Sequence, residues 1–191
     1  MKKGIVGLLL FGVICLAACH KSTVTPTVYQ RFTTDSTLIV NYLAANNINA
    51  TLHDSVWYVL TEVGTGPKPT RFNCIRIKYS AYELSALTAG GTALPFQSNV
   101  NPDGLKGPLK NMGEATTGVY ISVSGLQIAL KQFPLGSKAR VFIPSYLAYG
   151  ACGQIDITGS TYVVHPNECV VFDVELLQLY DYNVAANYCL Q

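Results

Sequence analysis

With 191 residues, the chain has room for one domain of ordinary size plus a small accessory segment. Hydrophobic residues make up 49% and charged residues only 13%, with a formal net charge of +2. No basic cluster stands out, which excludes nucleic acid and other polyanions as expected partners.

Met1-Lys2-Lys3 is a short basic start, and Gly4 to Leu16 is an uncharged apolar run. The run is too short to span a bilayer as a mature helix, so residues 1–18 read as a secretory signal. Leu16-Ala17-Ala18-Cys19 resembles a bacterial lipobox, in which cleavage precedes a cysteine that becomes acylated. An ordinary signal cleavage site beside an incidental cysteine is the alternative. Acyl chains contribute about 0.8 kcal/mol per buried CH₂, enough to anchor a domain without a spanning helix. Removal of the signal leaves eleven basic and eleven acidic side chains.

Residues 19–32 contain Thr, Ser and Pro with few large apolar groups and read as a flexible tether. Residues 33–63 form an accessory unit of one helix and one strand. Thr34 or Asp35 serves as the expected N-cap, Leu38, Ile39, Tyr42 and Leu43 form the apolar stripe, and Asn46-Asn47 ends the run. Ser55 to Val63 alternates as a strand, broken by Gly64-Thr65-Gly66-Pro67.

The main domain is expected over 64–180, with 181–191 as a tail. Phe72 to Tyr82 alternates Ile75, Ile77 and Tyr79 against Cys74, Arg76 and Lys78, the pattern of a half-buried antiparallel strand. Residues 83–117 show only turn signals, a long stretch for a compact domain. A strand is expected over Val119 to Val123. Leu126, Ala129, Leu130 and Phe133 then define a short helix with one apolar face, closed at Pro134-Leu135-Gly136. Lys138 to Ile143 and Cys169 to Leu179 alternate as strands. The order is strand-rich with one late helix, an α+β arrangement in which an antiparallel sheet packs on a helix.

Of six cysteines, Cys15 and Cys19 belong to the signal and the anchor. Cys74, Cys152, Cys169 and Cys189 lack metal-site spacing, and their three possible disulfide pairings stay open. Alternation puts Cys74 and Cys169 opposite the apolar faces of their strands, where they can pair if the strands are neighbours and can equally stay unpaired. His165 is a lone loop histidine and reads as solvated. Neither a metal nor a cofactor is expected.

The motifs Ile77-Lys78-Tyr79, Phe96-Gln97-Ser98, Gly125-Leu126, Leu147-Ala148-Tyr149-Gly150 and Val171-Phe172-Asp173-Val174-Glu175 together resemble FKBP-type peptidyl-prolyl cis-trans isomerases. The leader Asn41 to Ile48 and Trp57-Tyr58-Val59 is similar to that of Bacteroidetes-type lipoproteins of this family. The resemblance implies a twisted antiparallel sheet wrapped around a short helix, with an apolar proline-binding pocket between them. It assigns Tyr79, Phe96 and Phe172 to the aromatic walls and Val123 to a ligand-facing backbone amide. Leu126 falls at the floor, Tyr149 supplies a hydroxyl to the substrate carbonyl, and Val164 stands in the flap. By alternation alone, Tyr79, Phe172 and Leu126 are core residues and Tyr149 is a turn aromatic.

No nucleophile is needed for such chemistry. Rotation of an X-Pro amide crosses a barrier of about 18–20 kcal/mol, and a site that binds the twisted amide best lowers it. The sequence departs from the family pattern at Gln97, usually aspartate, at Leu126, usually tryptophan, and in a longer flap over Gly150 to His165. The expected function is prolyl isomerisation in exported proteins, by a monomer anchored at Cys19 in the bacterial cell envelope. The alternative is a non-catalytic polypeptide-binding or chaperone module on the same anchor.

Overall fold

The computed structural model describes residues 27–101, 104–109, 123–183 and 188–189. The signal, Cys19, residues 19–26 of the tether, residues 119–122 of an expected strand and part of the C-terminal tail lie outside the described residues.

The first helix, α1, runs Val28–Ala45. It begins six residues before Thr34, so the last five positions of the expected tether, residues 28–32, are helical. Thr27 is the cap: its Oγ1 accepts from the Gln30 amide at 3.2 Å, and Gln30 Oε1 accepts from the Thr27 amide at 2.9 Å. This reciprocal capping box satisfies two amides that a helix start leaves free. Thr34 instead bonds back within the helix, its Oγ1 donating to the Gln30 carbonyl at 3.1 Å. Asp35 is turned inward and fully buried.

Strands β1 (Thr51–His53) and β2 (Val56–Glu62) form a hairpin through Asp54 and Ser55, both with positive φ. They lead into the central sheet with β3 (Asn73–Glu83), β6 (Lys138–Ile143) and β9 (Val170–Asn183). The sheet order is β1-β2-β6-β9-β3-β4, antiparallel throughout, with β4 at Gln97–Asn99. β5 (Leu105–Pro108) adds to β3, and β10 (Tyr188–Cys189) adds to β9. The accessory strand β2 thus pairs directly with β6 of the main domain. The weakly patterned segment after Glu83 contains a short helix α2 (Leu84–Thr88) before β4 and β5.

Register explains the two faces. Tyr58, Val141, Phe172 and Ala81 lie in one cross-strand row, and Leu60, Ala139, Val174 and Tyr79 in the next. Both rows point to the main core, where helix α3 (Ser124–Leu130) packs Leu126, Ala129 and Leu130 with Phe133 beyond its end. Contact is tight at the helix start: a Cβ on Gly125 would stand 2.3 Å from Ile143 Cγ2. Only glycine lets the helix approach the sheet there.

The row on the far side of Tyr58, made of Trp57, Phe142, Val171 and Tyr82, faces the other way. There α1 covers the sheet, packing Ile39 and Leu43 with Trp57, Phe142, Val171 and Cys169 into a second apolar cluster. Burying such aliphatic side chains contributes about 1.5–3 kcal/mol each. Farther along this face the next residues are charged, and Arg140 binds Asp173 through two nitrogens at 2.7 Å each.

Cys169 is therefore buried rather than outward-facing, because the face opposite the main core is itself covered by α1. It is a free thiol, as is exposed Cys152. Cys74 is buried and disulfide-bonded, and the free state of Cys152 and Cys169 excludes both as its partner.

Candidate functional site

Sheet and α3 bring seven of the eight expected site residues into one apolar cluster. Tyr79, Val123, Leu126, Val164 and Phe172 are buried in it, and Phe96 and Tyr149 pack against its margin. Tyr79 and Phe172, diagonal neighbours on β3 and β9, hold their ring centroids 5.7 Å apart. Such tilted aromatic pairs are favourable beyond the area they bury. Val123 precedes α3 and its carbonyl accepts the first helical amides, from Leu126 at 3.1 Å and Gln127 at 3.2 Å. Leu126, one turn inside, lies on the face α3 turns to the sheet.

Phe96 is placed by its amide, which donates to the Ala81 carbonyl at 2.9 Å, just ahead of β4. Its ring meets Tyr149 edge to face, with centroids 5.9 Å apart. Gln97 is the residue left out: it is exposed on edge strand β4, opposite Ala81. An alternating strand sends neighbours to opposite faces, so Phe96 inward puts Gln97 outward.

Tyr149 follows a 3₁₀ turn at Ser145–Leu147, itself following Pro144. Burial, reinforced by the nearby Tyr79, pushes the Tyr149 phenol up to about 12. Burial also raises the Tyr79 phenol above its ordinary value. Both hydroxyls are protonated at physiological pH, and Tyr149 in particular is a neutral hydrogen-bond donor at the edge of an apolar cluster.

The flap forms a small hairpin of β7 (Gln154–Ile155) and β8 (Tyr162–Val164). Asp156 Oδ1 closes its tip by accepting from Thr158 Oγ1 and the Ser160 amide, at 2.9 and 3.0 Å, and these bonds lower its pKa. Gly153, with φ +65°, opens the hairpin where a Cβ would meet the Val164 carbonyl at 2.4 Å. Val164 turns inward, and the next residue ties the flap down. Glu83 Oε1 accepts from the His165 amide at 2.6 Å and lies 2.9 Å from His165 Nδ1. His165 is thus exposed, as a loop histidine should be, and at the same time engaged with Glu83. At the flap's foot, Glu168 Oε1 accepts from the Ser85 amide at 3.0 Å, while burial raises the Glu168 pKa.

Three supporting residues escaped the sequence pattern: Glu83, Asp35 and Ser145. Glu83 ends β3 and looks like any strand-end carboxylate. Asp35 resembles a cap. Its position one and two turns ahead of Ile39 and Leu43 is the available signal that it lies on the buried stripe. Among the described residues no group of three or more His, Cys, Asp or Glu is arranged to hold a metal. A cleft on the back of the sheet is lined by Lys78, Lys138, Asp173 and Glu175, of which Lys138 Nζ lies 2.7 Å from Glu62 and Asp173 holds Arg140, both just outside it.

An antiparallel sheet packed over one short helix, with Tyr79, Phe96, Tyr149 and Phe172 gathered in and against one apolar cluster, defines a domain of the FKBP type. The chain belongs to the FKBP-type peptidyl-prolyl cis-trans isomerase family, whose model matches residues 109–177. An FKBP-type isomerase, FkpA of Aeromonas hydrophila, is 32% identical over 143 residues, covering 72% of this chain and 44% of that protein. FK506-binding protein 4 of Dictyostelium discoideum is 29% identical over 127 residues, 66% of this chain and 29% of that one. The chain thus spans less than half the length of these relatives.

Solved structures share the fold. A peptidyl-prolyl isomerase of Pseudomonas syringae aligns with TM-score 0.57 at 23% identity, covering 81% of this chain and 97% of that one. FkpA of Escherichia coli aligns with TM-score 0.55 at 20% identity, covering 80% and 64%.

Proposed function

We propose that this protein is a peptidyl-prolyl cis-trans isomerase acting on proline-containing segments of exported polypeptides, held by lipid at Cys19 to a membrane of the bacterial envelope. The observation that carries the reading is the pairing of a buried aromatic set with one neutral donor. Tyr79 and Phe172 meet at a tilt within the cluster that contains Val123 and Leu126, while the half-buried Tyr149 ring meets Phe96 edge to face at its margin.

An apolar cradle favours the twisted amide, whose nitrogen and carbonyl have lost the charge separation of the planar form. A donor on the carbonyl flanking the proline orients the segment so that rotation is confined to one bond. Each 1.36 kcal/mol by which the twisted form is bound better than the planar isomers is tenfold in rate. Tyr149 fits the donor role because its phenol is neutral at physiological pH and sits half-buried at the margin of the apolar cluster. Tyr79, Phe96 and Phe172 serve as walls, Leu126 as floor and Val164 as the flap's contribution. Gln97, exposed beside Phe96, supplies no charge to the cradle.

A protease-coupled or NMR exchange assay on an Ala-X-Pro peptide series tests this with the mature chain. Acceleration that falls in Phe172→Ala is the expected outcome. A folded protein that gives no acceleration refutes the isomerase reading. Peptide binding without acceleration would identify a binding module instead, a reading favoured by the outward Gln97 and the small floor residue Leu126. Metabolic labelling with a fatty acid, lost in Cys19→Ala, tests the anchor.

A further inference from the structure

We propose that Asp35, on the accessory helix, is a positioning residue for Tyr149: its buried carboxylate clamps Ser145 and thereby sets the turn that carries the tyrosine. This rests on the isomerase reading for its catalytic consequence, but its structural content stands separately.

The contact is unusual for its place. Asp35 lies on the inward stripe of α1 with Ile39 and Leu43, all three buried, where an aliphatic residue would dock the helix equally well. Burying a carboxylate there is costly unless it is well hydrogen-bonded. Its Oδ2 accepts twice from one residue, from the Ser145 amide at 2.8 Å and from Ser145 Oγ at 2.6 Å. Ser145 is itself fully buried. Asp35 Oδ1 has no hydrogen-bond partner and faces Arg31 Nη1 at 3.7 Å. The carboxylate's direct hydrogen bonds are therefore all spent on a single turn 110 residues away.

That turn leads to the site. Ser145 opens the 3₁₀ turn, and its carbonyl accepts from the Ala148 amide at 3.0 Å, one residue before Tyr149. On one side, Phe32 of α1 meets Tyr146 edge to face at 5.9 Å. On the other, Leu147 abuts the start of α3, its Cβ 3.3 Å from where a Cβ on Gly125 would stand. The turn is held between α1 and the helix that provides Leu126, with Asp35 as its polar fastening. Loosening that fastening lets the backbone ahead of Tyr149 shift, and a site group misplaced by about 1 Å can cost about 10²-fold in rate.

The test compares Asp35→Leu with Asp35→Asn in the mature chain. Asp35→Leu keeps the apolar docking of α1, read by the emission of Trp57, which stacks on Phe32 at 6.3 Å. Asparagine retains an oxygen that accepts from Ser145. The expected result for Asp35→Leu is native Trp57 emission, a displaced or broadened Tyr149 ring resonance, and kcat lower by about tenfold with KM within about twofold. The resonance is identified by its loss in Tyr149→Phe. Asp35→Asn restores most of kcat. A folded Asp35→Leu protein with an unchanged Tyr149 resonance and unchanged kcat overturns the proposal. Absence of turnover in the unsubstituted protein refutes the isomerase reading alone, and the resonance comparison then decides the positioning role. If Asp35→Leu does not fold, Ser145→Ala takes its place, removing one of the two bonds: a moved Tyr149 resonance supports the clamp, and an unmoved one refutes it.

Discussion

Truncation of Ile39 to alanine measures whether the accessory helix is part of the folding unit. Ile39 is fully buried in the second cluster with Trp57, Phe142 and Val171. The substitution removes three carbons, and at about 0.8 kcal/mol per buried CH₂ the lost transfer free energy is about 2.4 kcal/mol. A cavity term adds to this according to how little the surroundings collapse. Collapse is limited here because Phe142 and Val171 sit on β6 and β9, which the main core grips from the other face through Val141, Ile143, Val170 and Phe172. The expected total is about 3–4 kcal/mol, inside the range of about 2–5 seen for such truncations. At roughly 2–4 °C per kcal/mol for a domain of this size, the melting temperature falls by about 10 °C.

Urea titration provides the assay, followed both by circular dichroism and by emission of Trp57, the chain's one tryptophan. The two transitions should coincide, since β2 carries Trp57 on one face and core residues on the other. A loss below about 1 kcal/mol would refute the reasoning. So would Trp57 reporting release of α1 well before the sheet unfolds.

Replacing Tyr149 by phenylalanine removes one hydrogen bond, net about 0.5–1.5 kcal/mol, so isomerisation should slow by about two- to twelve-fold; an unchanged rate removes Tyr149 from the mechanism. The Tyr149 phenol is raised from 10.0 to about 12, so between those values the unfolded chain gives up this proton while the folded chain keeps it. Stability should therefore fall as pH rises through that window, and the fall should be shallower in Tyr149→Phe, where the raised Tyr79 phenol and Cys169 thiol still contribute to it. In native protein, iodoacetamide at pH 8 should alkylate exposed Cys152 and spare Cys169, whose thiol is pushed up to about 12 by burial and the nearby Asp35; peptide mapping that finds both modified at similar rates contradicts the packing of α1. Gly125→Ala should destabilise by about 1–3 kcal/mol in urea, because its Cβ would overlap Ile143; a neutral effect would mean that α3 can retreat from the sheet.

Some of this was legible in the chain and some was not, for identifiable reasons. Strands β2, β3, β6 and β9 announce themselves by alternation because one face of each meets a continuous core. The apolar stripe of α3 is equally plain. Composition misplaces the start of α1, since Thr34-Asp35 has the composition of a cap while the true cap, Thr27, stands in a tether-like stretch. Strands β4 and β5 are short edge elements whose pairing depends on β3 rather than on any period of their own. Alternation marks Tyr79 and Phe172 only as core, and resemblance to a family is what assigns them to a site. Gln97 shows the limit of carrying positions over, for the strand that turns Phe96 inward turns its neighbour out.

What the amino-acid order determined by itself is local: periodicity selects strand or helix, and Asn46-Asn47 ends the first helix. Those preferences act over a few residues, within reach of backbone geometry. Tertiary structure alone decided that the sheet has two covered faces, that Cys169 is enclosed, and that Asp35 closes on Ser145 instead of capping a helix. A buried carboxylate takes the partner that packing brings within hydrogen-bond reach, and no local pattern records a partner 110 residues away.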